Sequence, residues 1–239
     1  MQNYLHQALG VTETIRIDNS NYNSGTASGF TEGMKQVKDG FIWLLDEDNI
    51  PEPDALKKLK EFWKGGDKKN SCLASYRKGY DKLIDLDSVI GSDNACLGLN
   101  LFFYKETRKN LKYTVDDFYL PSQTRQIPCS MYGGMFFHSD LLKTIGYPNE
   151  KLFMYCDDYD WSYRITKAGG KIILVKDSII NEPESKGNLY YNTRNHLIFQ
   201  KQFVTNRIKF TCNYYAYCLY LFYKRNFKKL KALKDGWNF

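Results

Sequence analysis

Two clusters of carboxylates have the residue types and spacing to work on a cation or a proton. The first, Asp46-Glu47-Asp48, ends the apolar run Phe41-Ile-Trp-Leu-Leu45 and leads into Asn49-Ile-Pro-Glu-Pro-Asp-Ala-Leu56. In an extended chain side chains two apart point the same way, so Asp46 and Asp48 can face one divalent cation while Glu47 turns aside. Magnesium and manganese sites at phosphates are built this way, with one or two carboxylates and the rest of the shell filled by substrate oxygens and water. A solvated acidic turn accounts for the same triplet. The second cluster is Asp157-Asp158-Tyr-Asp160, within Leu152-Phe-Met-Tyr-Cys-Asp-Asp-Tyr-Asp-Trp-Ser-Tyr-Arg164. Mutual repulsion raises a carboxyl pKa there, whereas a helix N-terminus and Arg164 lower it, so the net direction stays open. A carboxylate held at that point could deprotonate a hydroxyl nucleophile as a general base. An acidic first helical turn is the plain alternative, favourable in its own right.

Groups of this kind need a sheet to position them. Phe41 to Leu45 reads as a buried central strand, and open α/β sheets place ligands at the carboxyl ends of such strands. Pro51, Pro53 and Asp54 then start a helix that runs from Asp54 to Trp63. Helical spacing is also expected over Met1 to Leu9, Phe30 to Val37, Ser139 to Ile145 and Asp157 to Ala168, with Gly146 and Gly169-Gly170 as stops. Strands are expected at Thr14 to Ile17, Cys72 to Tyr76, Leu99 to Tyr104 and Lys171 to Val175. Asn19 to Phe30 reads as a loop, residues 105 to 130 as polar and irregular, and the chain as helical from about Asn188. The paired Gly133-Gly134 before an apolar run implies close approach of a ligand or another strand. Strands alternating with helices give an α/β fold.

The chain has 239 residues and a net charge of +7, and the charge is unevenly placed: residues 201 to 239 hold nine Lys or Arg against one acid. The preceding body is therefore nearly neutral, and with no nucleic-acid motif beside the basic tail a nucleic-acid binder is disfavoured. The six cysteines show neither a CxxC pair nor metal-ligand spacing, and read as reduced thiols in a cytosolic compartment. His6, His138 and His196 lie far apart and read as ordinary polar or core histidines. The first twenty residues lack the apolar core of a secretory signal, and no uncharged apolar run reaches the length of a spanning helix.

Several motifs occur in one order: Asn-x-Gly-x-Ala-x-Gly-Phe at Asn23 to Phe30, Asp-Glu-Asp with Pro-Glu-Pro-Asp-Ala-Leu, Gly-Gly at 133, the Asp157 cluster, Gly-Gly-Lys near 170 and Tyr-Tyr-Asn-Thr-Arg-Asn at 190 to 195. In that order they resemble family 2 glycosyltransferases of the GT-A fold, in the branch of bacterial rhamnosyltransferases and galactofuranosyltransferases. The resemblance runs from the first residues to about residue 204. It implies a GT-A mixed sheet flanked by helices over residues 1–204, followed by a helical tail over 205–239. It also implies that Asp46 and Asp48 hold Mn2+ or Mg2+ against the diphosphate of a nucleotide-sugar, a UDP- or dTDP-sugar, with Asn23 and Gly25 in the donor-binding loop. Asp158 is then the base that takes the acceptor's proton, giving inversion in one displacement. Gly133, Gly134, Asp157, Trp161 and Arg164 fall on the acceptor side. The resemblance further implies that the acceptor is a hydroxyl of a cell-surface glycan or lipid-linked acceptor.

The sequence departs from the family pattern in two places. It begins just after the two strands that bind base and ribose, which reads as an N-terminal truncation. Where many relatives carry a metal-binding His it has Asn181-Glu182, so Glu182 is the candidate oxygen ligand there. Arg194 and Asn195 read equally as phosphate contacts or as anchors of the C-terminal helix. In the tail, Phe210 to Tyr223 is uncharged and aromatic and a Lys- and Arg-rich run follows from Lys224 to Lys231. That pairing suits an anionic headgroup interface and implies a cytoplasmic protein held peripherally on the inner membrane face, with packing on its own domain or a partner subunit as the alternative. A rival to the enzyme is a catalytically inactive remnant that binds a partner or a membrane.

Overall fold

The computed structural model describes residues 11–18, 21–63, 66–78, 124–181, 187–204 and 207–239. They fall into two units: a sheet unit of residues 11–78, 124–153 and 157–181, and a helical unit of residues 154–156 and 187–239, each taken within the described ranges.

The spine of the sheet unit is a parallel pair, β3 (Ser71–Lys78) and β6 (Lys171–Asn181). β5 (Met135–His138) lies antiparallel on the other side of β3, with Cys72 opposite Phe137, and β1 (Phe41–Trp43) lies antiparallel on β5, with Phe41 opposite His138. β4 (Thr124–Ile127) and β2 (Ile50–Pro51) both pair antiparallel with β6. The sheet is thus mixed. Its inner strands read as continuous apolar runs because helices cover both faces. Alternation along β5 shows the layering: Phe136 packs with Leu56 and Leu59 of α2 (Ala55–Phe62), while the ring of Phe137 meets Trp161 of α4 (Asp157–Lys167) on the opposite face, 5.1 Å between centroids. Leu59 is fully buried, and burying a leucine stabilises by about 1.5–3 kcal/mol.

One irregularity ties sheet to helix. Ser75 pairs with Val175 but Tyr76 with Ile179, so Lys176 to Ser178 bulge out of β6. The bulged Ser178 hydroxyl meets the Ser75 hydroxyl at 2.7 Å and donates to the Ala55 carbonyl at 3.0 Å, which pins the start of α2 to the sheet.

Several expectations need correction. No strand forms at Thr14 to Ile17. The second half of the expected loop Asn19 to Phe30 is helical: α1 spans Gly25–Gln36, because Asn23 Oδ1 accepts the Gly25 N–H at 3.0 Å and the Ala27 N–H finds the Phe153 carbonyl at 3.1 Å. β1 is shorter than expected, and among the described residues it pairs with β5 alone and ends the strand order, so it is not a central strand. β6 runs past Val175 to Asn181, since Ile179 and Ile180 resume pairing beyond the bulge. α3 (Asp140–Ile145) stops at Gly146 with φ 71°, as its sequence predicts, although Ser139 makes no side-chain cap. The segments Met1 to Leu9 and Leu99 to Tyr104 lie outside the described residues.

The helical unit contains α5 (Leu189–Phe203), α6 (Arg207–Tyr223) and α7 (Phe227–Trp237). Asn188 caps α5 by accepting the N–H groups of Tyr190 and Tyr191, and Asn226 caps α7 at Lys229. Leu197, Phe210, Tyr214, Tyr217, Leu221 and Leu233 form its core, and Trp237 stacks on Tyr214 at 4.1 Å. Gly236 lets α7 approach α5, since a Cβ there would stand 2.6 Å from the Arg194 carbonyl oxygen. α5 therefore groups with α6 and α7 rather than with the sheet. Among the described residues no helix is long and apolar enough to cross a membrane.

Candidate active site

The first carboxylate pair sits where β1 gives way to a turn. The chain leaves the strand at Trp43, and the Asn49 N–H donates to the Asp46 carbonyl at 3.1 Å. Asn49, itself buried, accepts the Asp46 N–H at 3.0 Å and donates to Asp48 Oδ1 at 3.4 Å. A clamped turn, not strand alternation, therefore orients the triplet; Asp46 and Asp48 are half-buried and Glu47 is exposed. This corrects the extended-chain argument while keeping its division of roles.

Gly133 and Gly134 form the opposite wall. Gly134 donates to the Leu44 carbonyl at 2.8 Å, and its own carbonyl accepts from Ser75. Its φ of 96° lies in the region glycine favours, and a Cβ there would stand 2.8 Å from Ser75 and Ile180. A Cβ on Gly133 would come within 2.1 Å of Asn49 Oδ1 and 3.0 Å of Asp46 Oδ2. The missing Cβ leaves room for the Asn49 amide that holds the Asp46 backbone beside its carboxylate. The only side chains the turn offers a cation are oxygen donors, which suits a hard divalent ion that completes its shell from diphosphate and water. No group of three or more His, Cys, Asp or Glu side chains able to hold a metal occurs among the described residues, and Glu182 lies outside them. Two carboxylates with substrate oxygens remain a sufficient set. Asn181 donates to the Ile50 carbonyl at 3.4 Å, alongside the β2–β6 pairing.

Arg77 is the residue that spacing alone did not reveal. It lies near the carboxyl end of β3, buried, with Nη2 3.9 Å from Asp46 Oδ2. Its charge also favours ionisation of Asp158, so one guanidinium acts on both carboxylate clusters. A lone Arg-Lys pair ending a strand reads in sequence as a solvated edge, and only the burial of Arg77 distinguishes it.

Asp157, Asp158 and Asp160 open α4, as the sequence predicts. The structure settles the direction that spacing left open. Burial lifts the Asp157 carboxyl to about 7, against a 2.9 Å hydrogen bond donated by Thr26, and burial followed by the charge of Asp157 lifts Asp158 well above the carboxylate range. Asp160 is raised by burial and held back by Arg164. Asp158 Oδ1 accepts only from its neighbour's N–H, Tyr159 at 2.8 Å, among the hydrogen bonds of the described residues. The Tyr132 hydroxyl is buried with no partner among the described residues, and burial together with Asp157, Asp158 and Asp160 opposes its ionisation. It stays a neutral donor beside three carboxylates. The approach to α4 is strained: Phe153, Tyr155 and Cys156 have φ of 70°, 64° and 61°.

Trp161 and Arg164 hold the helix in place. Trp161 is fully buried and its indole N–H donates to the Gly146 carbonyl at 2.9 Å. Arg164 donates to the carbonyls of Ile145 and Tyr147 at 2.8 and 2.9 Å and pairs with Asp160 at 3.4 Å. In the helical unit, Asn195 donates to the carbonyls of Met154 and Tyr155 at 2.7 and 2.9 Å, which assigns it an anchoring role. Arg194 Nε donates to Asn195 Oδ1, and its guanidinium lies over the rings of Tyr190, Tyr191 and Phe239.

A mixed sheet flanked by helices, with C-terminal helices following, is a GT-A-like α/β fold. The profile described as glycosyltransferase like family 2 matches residues 5–196, and the chain belongs to that family. Curated proteins gave no match. Among solved structures, a crystal structure of GalNAc-T7 with UDP, GalNAc and Mn2+ aligns with a TM-score of 0.49 and 13% identity, over 84% of this chain and 40% of that one. The chain thus spans less than half the length of that protein.

Proposed function

We propose that the protein is an inverting, divalent-metal-dependent glycosyltransferase that moves a sugar from a UDP- or dTDP-sugar to a hydroxyl of a cell-surface glycan or lipid-linked acceptor. The rhamnosyltransferase and galactofuranosyltransferase branch is the one its motifs favour. The observation that carries the reading is Arg77, one buried cation acting on both Asp46 and Asp158, which makes the two carboxylate clusters parts of one charged site.

Asp46 and Asp48 would hold the cation, Mn2+ or Mg2+, whose chemistry when bound is to neutralise charge on the departing nucleoside diphosphate. Asp158 accepts the proton of the acceptor hydroxyl. The acceptor oxygen forms a bond to the anomeric carbon as the bond from that carbon to the diphosphate oxygen breaks, and the electron pair leaves with the nucleotide. One displacement inverts the anomeric centre. Asn23 and Gly25, at the start of α1, serve the donor side. Gly133 admits the Asn49 clamp beside Asp46 and Gly134 lets the chain close against Ser75 and Ile180, and Asp157, Trp161 and Arg164 seat the helix that presents Asp158 to the acceptor. Burial, and after it the charge of Asp157, raise the Asp158 carboxyl well above the carboxylate range, which is the direction a general base needs. The aromatic, basic C-terminal helices suit a place on the inner face of the cell membrane, near a lipid-linked acceptor.

The test is a thermal-shift titration of the intact chain with Mn2+ and UDP-, dTDP- and GDP-sugars, repeated with Asp46→Ala/Asp48→Ala. Metal-dependent stabilisation by one nucleotide, absent in the double variant, is the expected result. A folded chain that responds to none of them contradicts the reading.

A further inference from the structure

α6 has two apolar faces and needs one of them for its own core. Phe210, Tyr214, Tyr217 and Leu221 point inward and are buried against α5 and α7 residues. Ile208, Cys212, Tyr215, Leu219 and Phe222, at alternating steps of four and three, form a second stripe along the helix, and every one of them is exposed. Ile208 is 80% exposed, Leu219 71% and Phe222 63%. A helix that only closes a core carries polar residues on its outer side. This one carries none that is charged between Phe210 and Tyr223.

The stripe ends at the corner between α6 and α7, where its apolar character meets cations. The Phe222 ring touches Phe227 edge-on at 6.1 Å, and Lys224 Nζ lies 5.9 and 5.8 Å from the ring centres of Tyr220 and Tyr223. Lys224, Arg225 and Lys228 are exposed beside these rings. Residues 201 to 239 contain one acid, Asp235, and it accepts a hydrogen bond from the Tyr190 hydroxyl.

We infer that the outer stripe of α6, with the basic corner at its end, docks on an anionic lipid surface. Charge decides between this surface and a second copy of the chain. A second copy meeting this face with its own would bring the same excess of cations and, from residues 201 to 239, only the Asp235 side-chain carboxylate, already bonded to Tyr190, whereas anionic headgroups supply the missing sign. Aromatic rings at the headgroup level flanked by Lys and Arg are the pattern of an interfacial helix. The 17 residues of α6 span about 25 Å, short of the roughly 30 Å hydrocarbon core, which suits a helix lying in the interface plane. This deepens the membrane placement proposed above by naming the surface, and it requires no catalytic activity.

The experiment is flotation of the intact chain with phosphatidylcholine vesicles, with and without phosphatidylglycerol. The chain floats with the anionic vesicles only, and high salt releases it. Leu219→Glu/Phe222→Glu stays in solution, and Lys224→Glu/Arg225→Glu/Lys228→Glu lowers the bound fraction by more than about tenfold. All these side chains are exposed, so both variants keep the wild-type circular dichroism spectrum. Failure to float, or equal flotation with neutral vesicles, overturns the inference. So does a dimer, seen by light scattering, that Leu219→Glu/Phe222→Glu dissolves while vesicle binding is absent. A Mn2+ and nucleotide thermal shift on the same samples reads the donor site separately, so loss of one result leaves the other standing.

Discussion

Asp157 is 2% exposed and its carboxyl is lifted from 3.8 to about 7, mainly by burial. The folded protein therefore keeps a proton that the unfolded chain releases at a pH of about 4. Stability from this group is complete below that pH and is lost as pH rises through about 7. At about 1.4 kcal/mol per unit, ionising Asp157 in the folded state costs on the order of 4 kcal/mol, of which about 2–3 kcal/mol develops between pH 5 and pH 8. Asp157→Asn removes the ionisation and retains an oxygen for the Thr26 hydroxyl, now 2.9 Å from the carboxylate. In urea unfolding at pH 8 with EDTA, the variant is expected to be more stable than wild type by about 2–3 kcal/mol, allowing for a poorer hydrogen bond. At pH 5 the two converge. If Asp157→Asn is less stable than wild type at pH 8, or if its stability falls with pH as steeply, the burial argument is refuted. A carboxylate kept at such a cost in a fold is the pattern of a site shaped for chemistry.

Three further outcomes follow from the same geometry. Arg77→Ala removes the cation that favours ionisation of Asp158, so the acid limb of the kcat/KM profile moves to higher pH, whereas a purely structural role would lower stability and leave that limb in place. Gly133→Ala puts a Cβ 2.1 Å from Asn49 Oδ1; Asn49 must move, and metal-dependent nucleotide binding, followed by calorimetry, weakens by about tenfold or more while the fold survives. Asn195→Ala deletes two hydrogen bonds to the Met154 and Tyr155 carbonyls and is expected to cost about 2–3 kcal/mol in urea unfolding.

What the sequence made legible was local. The acidic start of α4, its end near Gly169 and the stop at Gly146 all depend on residues within a few positions of each other. The pairing of β1 with β5 depends on residues nearly a hundred positions apart, and a short apolar run looks alike whether central or at the end of a sheet. The orientation of Asp46 and Asp48 was read from strand alternation, but the clamp by Asn49 is a turn that begins where the strand has ended. The resemblance places Trp161 and Arg164 on the acceptor side, and the structure adds the bonds by which both brace α4. Helical spacing cannot say which face is buried against Gly146 and Ile145. Arg77 and Tyr132 escaped notice because their significance is burial beside carboxylates distant in sequence.

The central claim is that Asp158 takes the acceptor's proton while Asp46 and Asp48 serve the donor. It is tested most directly by following sugar transfer in wild type and Asp158→Asn, with the product anomer assigned by NMR and donor binding measured in parallel. The account expects an inverted product, turnover reduced by about 10²- to 10⁴-fold in Asp158→Asn, and metal-dependent donor binding unchanged. Transfer that survives Asp158→Asn at the wild-type rate, or a product with retained configuration, would contradict it.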